Sequence, residues 1–500
     1  MGEELKTYND VRKKIESNRE MVNTEIHLLS PPVQEAVNST FDICFFLVNK
    51  VEELDNKINK NSSNSSNPPS TDPKKKPNSS RGKTGKNTGG QPGHKGSNLR
   101  RVENPSLVIE HKPQGKCRCG MKVGDLPVVH EQSRQVFEIE VVNKVVEHQT
   151  FSTVCSCGET HCGEFPEDVS GSTQYGASVR GIVTYLSKYQ LIPSERLSQM
   201  MEDIFNYPLS EGTVDNIKNE SAESLHSFEE KMKEAIQEEK IINVDETPVQ
   251  VNGTKGYMHV ACNEALTYIA YQAKRGMEAV MNIGVLDKFK GILIHDCFSM
   301  YFNYGSSHGI CNAHLSRELK FIEEQYKYNW ATEAKNLLWE AYDIVQMSKA
   351  DGIRYFDSAD CDELSAEFES ILQRGRTEMK SLIQAVPTKG KKRGKQHPAL
   401  NLCNRMLRLK KEILLFLYDH DVPFTNNEAE RDLRMTKVQV KVSGGFRTEE
   451  GARGYALLRS YIQTMKKQGL GILEGLTNLF ISNKNPTLDQ IFYRKTAQPC

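Results

Sequence analysis

Apolar positions in the middle of the chain recur first at every second residue and then at every third or fourth. IINVDETPVQV alternates as a half-buried strand and ends at the turn Asn252-Gly253. KGYMHVACNEALTYIAYQAKRG continues the alternation through two more strands joined by a polar turn. GMEAVMNIGVLDKFK has helical spacing, and GILIHDCFSMY opens on a continuous apolar run, as a strand covered on both faces does. Upstream, 174–240 reads as three or four helices; downstream, 313–385 is strongly helical. A further helix begins near Asn426, where Asn426 and Asn427 are placed to cap it, and another long one follows from GFRTEEGARG.

Three strands, a helix and a fourth strand is the order of a ribonuclease H-like domain. In that order Asp245 stands on the first strand and Asp296 at the end of the fourth, adjacent across the sheet. Glu430 lies far downstream in NNEAERDLR, so a helical insertion at about 315–420 must precede the helix that carries it. The fold class expected is therefore multidomain α/β. Residues 1–60 form a helical, partly coiled-coil segment, with Phe46, Val48, Val51, Leu54 and Ile58 as a stripe. Residues 61–104 form a basic disordered linker, 105–170 a small β-rich zinc-binding domain and 171–240 a helical domain. The catalytic core spans 241–485, and 486–500 is a tail.

Composition sharpens this only locally. With 37% hydrophobic and 26% charged residues and zero formal charge, the chain reads as a soluble globular protein whose partners depend on where charge sits. Residues 71–101 hold nine Lys or Arg against one Asp: Lys74, Lys75, Lys76, Arg81, Lys83, Lys86, Lys95, Arg100 and Arg101. Gly, Pro and Ser at this density do not build a core, and such a tract suits a phosphate backbone as well as a solvated hinge. No apolar signal opens the chain and FDICFFLV is too short for a membrane span, so a cytoplasmic, nucleoid-associated location is expected.

The candidate chemistry is of two kinds. Carboxylates at the ends of strands from distant parts of the sequence, here Asp245, Asp296 and Glu430, suit a two-metal phosphodiester-transfer site, in which ions about 3.5–4 Å apart act on attacking and leaving oxygens. Solvated surface acids are the plain alternative. Among twelve cysteines, Cys117-x-Cys119 and Cys155-x-Cys157 form two pairs suited to structural Zn²⁺, with VFEIEVVNKVVEHQTF between them as a hairpin. His161 or Cys162 could replace a member of the second pair. His308, Cys311 and His314 have an H-x2-C-x2-H spacing that could bind zinc and would then support a zinc hydrolase, but no clear fourth ligand is nearby and a structural or DNA-proximal role is the favoured reading. Arg317, Arg431, Arg434, Lys437 and Lys441 are candidate DNA contacts, with helix salt bridging to Glu428 or Asp432 as the alternative for the arginines. SERLSQMMEDIFNYPLSEGTVDNI has helix-turn-helix length, but its acidic second helix favours a packed connector.

Several ordered motifs resemble the IS66 family of transposases from about residue 40 to 485. They are NSSNSSNPPS, GGQPGHKG, Asp125-Leu126-Pro127, Phe165-Pro166, YGASVRGIVTYLSKYQLIPSERL, VDET, His295-Asp296, CNAHLSRELK and VPFTNNEAERDLR. The resemblance implies a DDE nuclease with Asp245, Asp296 and Glu430 as its acidic triad. Two Mg²⁺ or Mn²⁺ ions per site and structural Zn²⁺ are the implied cofactors. Double-stranded DNA is the implied partner, as terminal inverted repeats and as target. A homodimer or larger assembly on DNA and accessory proteins from the same element are further implied, with no membrane partner. Cys297 stands where the family usually has glycine, and Asn312 where it has Trp. The first cysteine pair is narrower than usual. A catalytically silent or domesticated DNA-binding protein of the same fold is the alternative.

Overall fold

The computed structural model describes residues 8–61, 64–65, 99–130, 132–353, 355–383, 397–481 and 486–496. Two compact units are distinguished, Met1–Lys74 with His148–Cys500, and Lys75–Glu147.

The larger unit is organised by a mixed five-stranded sheet flanked by helices, the arrangement expected of a ribonuclease H-like core. A two-stranded ribbon comes first in the chain, β1 (Ser152–Val154) against β2 (Thr160–Cys162). The main sheet then comprises β3 (Ile241–Val251), β4 (Thr254–Cys262), β5 (Thr267–Gln272), β6 (Ile292–His295) and β7 (Ser307–Ile310), in the order β5-β4-β3-β6-β7. β3, β4 and β5 pair antiparallel, and β6 and β7 join parallel. The β3–β4 turn uses Asn252 and Gly253 at φ 48° and 73°, the conformation a two-residue hairpin requires.

Each strand is held by what covers it. Ile242, Val244 and Leu293 enter one core with Phe228, Met232, Tyr461 and Ile462. Ile294 and Ile310 enter a second, built by the insertion helices around Leu319, Trp330, Leu338, Phe368 and Met406. β6 faces both cores, which is why its sequence is a continuous apolar run. β5 would be an open edge, but the helix Glu449–Lys467 covers it. Ser460 Oγ accepts the Ile269 N–H at 2.7 Å, and Thr464 Oγ1 accepts that of Thr267 at 3.1 Å. Hydroxyls one helical turn apart thus replace a missing strand.

At the N-terminus, helices Tyr8–Asn23 and Pro31–Asn59 form an antiparallel hairpin, tied by Arg12 to Asn49 and Glu52 and by Arg19 to Asp42. Its hydrogen bonds to the insertion include Asn56 Nδ2 to Tyr326 Oη at 2.7 Å. Phe46, Val51, Leu54 and Ile58 stay exposed. The helices Ser194–Phe205 and Glu211–Glu223 pack through Leu197, Met201, Val214 and Ile217. Asp215 is engaged by Lys218 and by Ser194 Oγ.

The hairpin expected over VFEIEVVNKVVEHQTF is a correction: no described residue of that segment is in a strand, and the ribbon lies just beyond it around the second cysteine pair. Val136, Ile139, Val142 and Val145 are exposed. β-propensity expresses a fit to a half-buried pleated surface, and nothing buries these residues.

Candidate metal centre

The parallel register carries two of the acids to one place. Asn243 on β3 lies opposite Ile294 on β6, so two residues further along both strands Asp245 stands level with Asp296. Glu430 arrives on the first turn of the helix Asn427–Ser443, which packs against β3 and β4. Asp245 Oδ1 accepts the Glu246 N–H at 2.8 Å, and Asp296 Oδ1 accepts that of Phe298 at 3.2 Å. Among the described residues neither carboxylate has an ion-pair partner. Burial, then the neighbouring Glu246, Asp296 and Glu430 charges, push the Asp245 carboxyl up to about 8.

Glu246, which sequence reasoning passed over, takes a different environment. Its carboxylate pairs with Arg275 and accepts the Tyr301 hydroxyl. Burial still raises its pKa above the carboxylate norm. Glu428, the other nearby acid, is taken up by Arg431 at 3.0 Å and Lys467 at 3.1 Å. Asp432 is buried and held by Lys467 and by the Thr267 hydroxyl. These partners leave Glu430 as the carboxylate of that helix facing Asp245.

Asn426 does not cap its helix with its side chain, contrary to the sequence expectation. Buried, it joins helix to sheet: its Nδ2 donates to Val244 O at 2.8 Å, and its Oδ1 accepts from Asn243 Nδ2 at 2.9 Å. Its backbone N–H donates to Cys311 Sγ at 3.1 Å. The residue before Asp245 and the start of the Glu430 helix are therefore fixed together by uncharged bonds.

The His308–Cys311–His314 grouping weighed as a zinc site is not formed. His308 sits on β7 with Nδ1 3.3 Å from Nε2 of His295, and burial holds both imidazoles below their ordinary pKa, His295 at about 3. Cys311 and His314 instead meet Glu430, with ligand atoms all within 4.8 Å of one another. Strand pairing turns His308 toward β6, whereas Cys311 and His314 lie past the strand, at the start of the helix Asn312–Tyr326. Arg317 Nη2 lies 3.9 Å from Glu430 Oε1.

Cys297 follows Asp296 at φ 71°, the left-handed region that favours glycine. Asn312 is buried and donates to Ile413 O at 3.0 Å, a polar use of a position where a larger ring was expected.

Arg431, Arg434, Lys437 and Lys441 form an exposed stripe at helical spacing that starts beside Glu430. Lys74, Lys75, Lys76, Arg81, Lys83, Lys86 and Lys95 lie outside the described residues. Arg100 is exposed, and Arg101 donates to Ser133 O and Oγ.

Cys117 and Cys119 belong to one unit, Cys155 and Cys157 to the other. Both C-x-C-G segments turn alike. The Gly120 N–H donates to Cys117 O at 2.9 Å and the Gly158 N–H to Cys155 O at 2.8 Å, with the glycines at φ 90° and 91°. The N–H two residues on points at the first sulfur, which lowers the pKa of Cys117 and of Cys155.

No helix among the described residues is long and apolar enough to cross a membrane. No curated protein matches the chain. A family of unknown function (DUF6444) matches residues 24–100. The Transposase IS66 family matches residues 172–454, which is more than half of the chain and contains the whole five-stranded sheet with Asp245, Asp296 and Glu430. The chain belongs to the IS66 transposase family.

Proposed function

We propose that the chain is the DDE transposase of an insertion sequence, cutting DNA at terminal inverted repeats and joining the freed 3′ ends to target DNA. The observation that supports this reading is a group of three carboxylates from distant segments: strand register sets Asp245 level with Asp296, the charge of Glu430 acts on Asp245, and Asp245 and Asp296 have no cationic partner among the described residues. Such a cluster is unfavourable alone and suits hard divalent cations. Asp245, Asp296 and Glu430 would hold two Mg²⁺ or Mn²⁺ ions, which supply a lowered water pKa and charge compensation at the phosphate. Asp245 feels the charge of both other acids. Tyr301 and Arg275 keep Glu246 engaged outside the group. Arg317 and the exposed stripe from Arg431 to Lys441 offer cations to the non-scissile phosphates, and the basic residues of 74–101 are proposed to add non-specific phosphate affinity.

Purified protein with Mg²⁺ or Mn²⁺ is expected to nick and join oligonucleotides bearing its own element's ends. Asp245→Asn, Asp296→Asn and Glu430→Gln should each abolish this; full activity in any of them overturns the assignment. A silent DNA-binding protein of the same fold would instead bind these oligonucleotides without cutting them. The two C-x-C-G turns are proposed to bind structural Zn²⁺, so Cys117→Ser and Cys155→Ser should lower the bound zinc. A dimer or larger assembly on DNA is expected by light scattering, since two ends must be held together.

A further inference from the structure

We propose that Cys311, His314 and Glu430 form a separate site for a thiophilic divalent cation of the zinc class, sharing Glu430 with the acidic group. Cys311 precedes the first turn of the helix Asn312–Tyr326, and His314 follows one turn on. Glu430 enters from the first turn of the facing helix. One sulfur, one imidazole nitrogen and one carboxylate oxygen lie within 4.8 Å of one another, with His314 Nδ1 3.7 Å from Glu430 Oε1. Neither of these two buried atoms has a hydrogen-bond partner among the described residues.

The donor set selects the metal. Mg²⁺ requires oxygen ligands in near-octahedral geometry, which a buried sulfur does not supply. Zinc takes sulfur at about 2.3 Å, nitrogen at about 2.0–2.1 Å and carboxylate oxygen at about 2.0–2.2 Å, with a fourth position for water. Those bond lengths place tetrahedral ligands roughly 3.3–3.8 Å apart. The group as it stands is thus slightly open, and side-chain rotation closes it. Burial pushes the Cys311 thiol up and the Asn426 N–H at 3.1 Å from its Sγ opposes this in part; the thiol proton leaves to solvent when the metal binds.

One consequence rests on the transposase reading: a carboxylate held by zinc is withdrawn from Asp245 and Asp296, so zinc should compete with Mg²⁺. Binding itself does not depend on that reading. The full-length protein, dialysed against chelator-buffered Zn²⁺, is analysed for zinc and, after exchange, for the sulfur-to-metal absorption of Co²⁺. Wild type is expected to hold one zinc more than Cys311→Ser, His314→Gln or Glu430→Gln, whereas Asp245→Asn keeps the extra ion. The part of the Co²⁺ absorption that Cys311 contributes should be lost in all three of these variants and kept in Asp245→Asn. Equal zinc content in wild type, Cys311→Ser and His314→Gln overturns the site. Where Cys311→Ser loses the native melting transition, His314→Gln, which keeps size and polarity, decides. A missing extra zinc beside intact Mg²⁺-dependent cleavage removes this site alone; an extra zinc beside absent cleavage removes only the transposase assignment.

Discussion

Replacing Asn426 with alanine tests how the centre is assembled. The side chain joins β3 to the Glu430 helix through Val244 O and Asn243 Nδ2, and both asparagines are buried. Truncation strands the Asn243 amide and removes a donor from the Val244 carbonyl. A buried polar group left unsatisfied costs about 1–3 kcal/mol. With the small cavity added, the expected loss is roughly 2–4 kcal/mol. At about 2–4 °C per kcal/mol for a folding unit of a few hundred residues, thermal melting should fall by roughly 4–16 °C. Asn426→Asp should do no better, because a carboxylate cannot donate to Val244 O and adds charge beside Asp245. A double-mutant cycle with Asn243→Ala isolates the pair and should show a coupling of about 1 kcal/mol. The Mn²⁺ concentration for half-maximal cleavage should also rise, since Glu430 loses its tether to the Asp245 strand. A melt within 1 °C of wild type at about equal Mn²⁺ dependence, or strictly additive single effects, would refute the argument.

Three further outcomes follow from the same geometry. Asp245 in the folded state holds its proton up to about pH 8, above its ordinary 3.8, so its contribution to stability is complete at low pH and lost as pH rises through 8. The metal-free protein should therefore melt lower at pH 9 than at pH 6, and Asp245→Asn should flatten that fall; parallel curves would count against it. At Cys297 the usual order of small residues should reverse: Cys297→Gly should be more stable than Cys297→Ala by about 1 kcal/mol in chemical denaturation, because only glycine adopts φ 71° without strain. Ser460→Ala should cost about 1–3 kcal/mol by leaving the Ile269 N–H on the β5 edge unpaired, and Ser460→Thr should recover part of it; an unchanged melt for Ser460→Ala would show that edge protection lies elsewhere.

The core strands were legible because their periodicity reflects burial directly. β3 to β5 alternate and β6 is continuously apolar, so the order of elements and the meeting of Asp245 with Asp296 could be read from spacing. Other features depend on contacts that no local pattern encodes. The two asparagines at 426 and 427 look like helix caps in sequence; that Asn426 turns into the sheet depends on Asn243, 183 residues away. The H-x2-C-x2-H spacing suggested three ligands from one segment, yet a strand ends within it and sends His308 to His295. Glu430 then completes the set from the other side, which spacing within one segment cannot reveal. The valines and isoleucines of 136–145 signalled strands by propensity, and the signal failed where no surface buried them.

A site of this kind is held together by what is neutral. Each carboxylate that ion-pairs firmly near the centre is one not proposed to bind metal: Glu246 with Arg275, Glu428 with Arg431 and Lys467, Asp432 with Lys467. Among the described residues Asp245 and Asp296 receive only backbone N–H donors, and their positions are set by strand register and by the Asn243–Asn426 amide pair. A lysine placed to neutralise them would stabilise the empty fold and compete with the cation. Uncharged tethers fix geometry without that competition, at the cost of burial and then repulsion, which raise the Asp245 pKa. A cation that binds the acids relieves this repulsion, so its affinity should grow with pH up to about 8, where the bound proton no longer opposes it. Isothermal titration with Mn²⁺ at pH 6.5 and 8.5 measures this directly. Tighter binding at the higher pH in wild type, lost in Asp245→Asn, is expected, and equal affinity at the two pH values would show that the proton on Asp245 does not gate the metal.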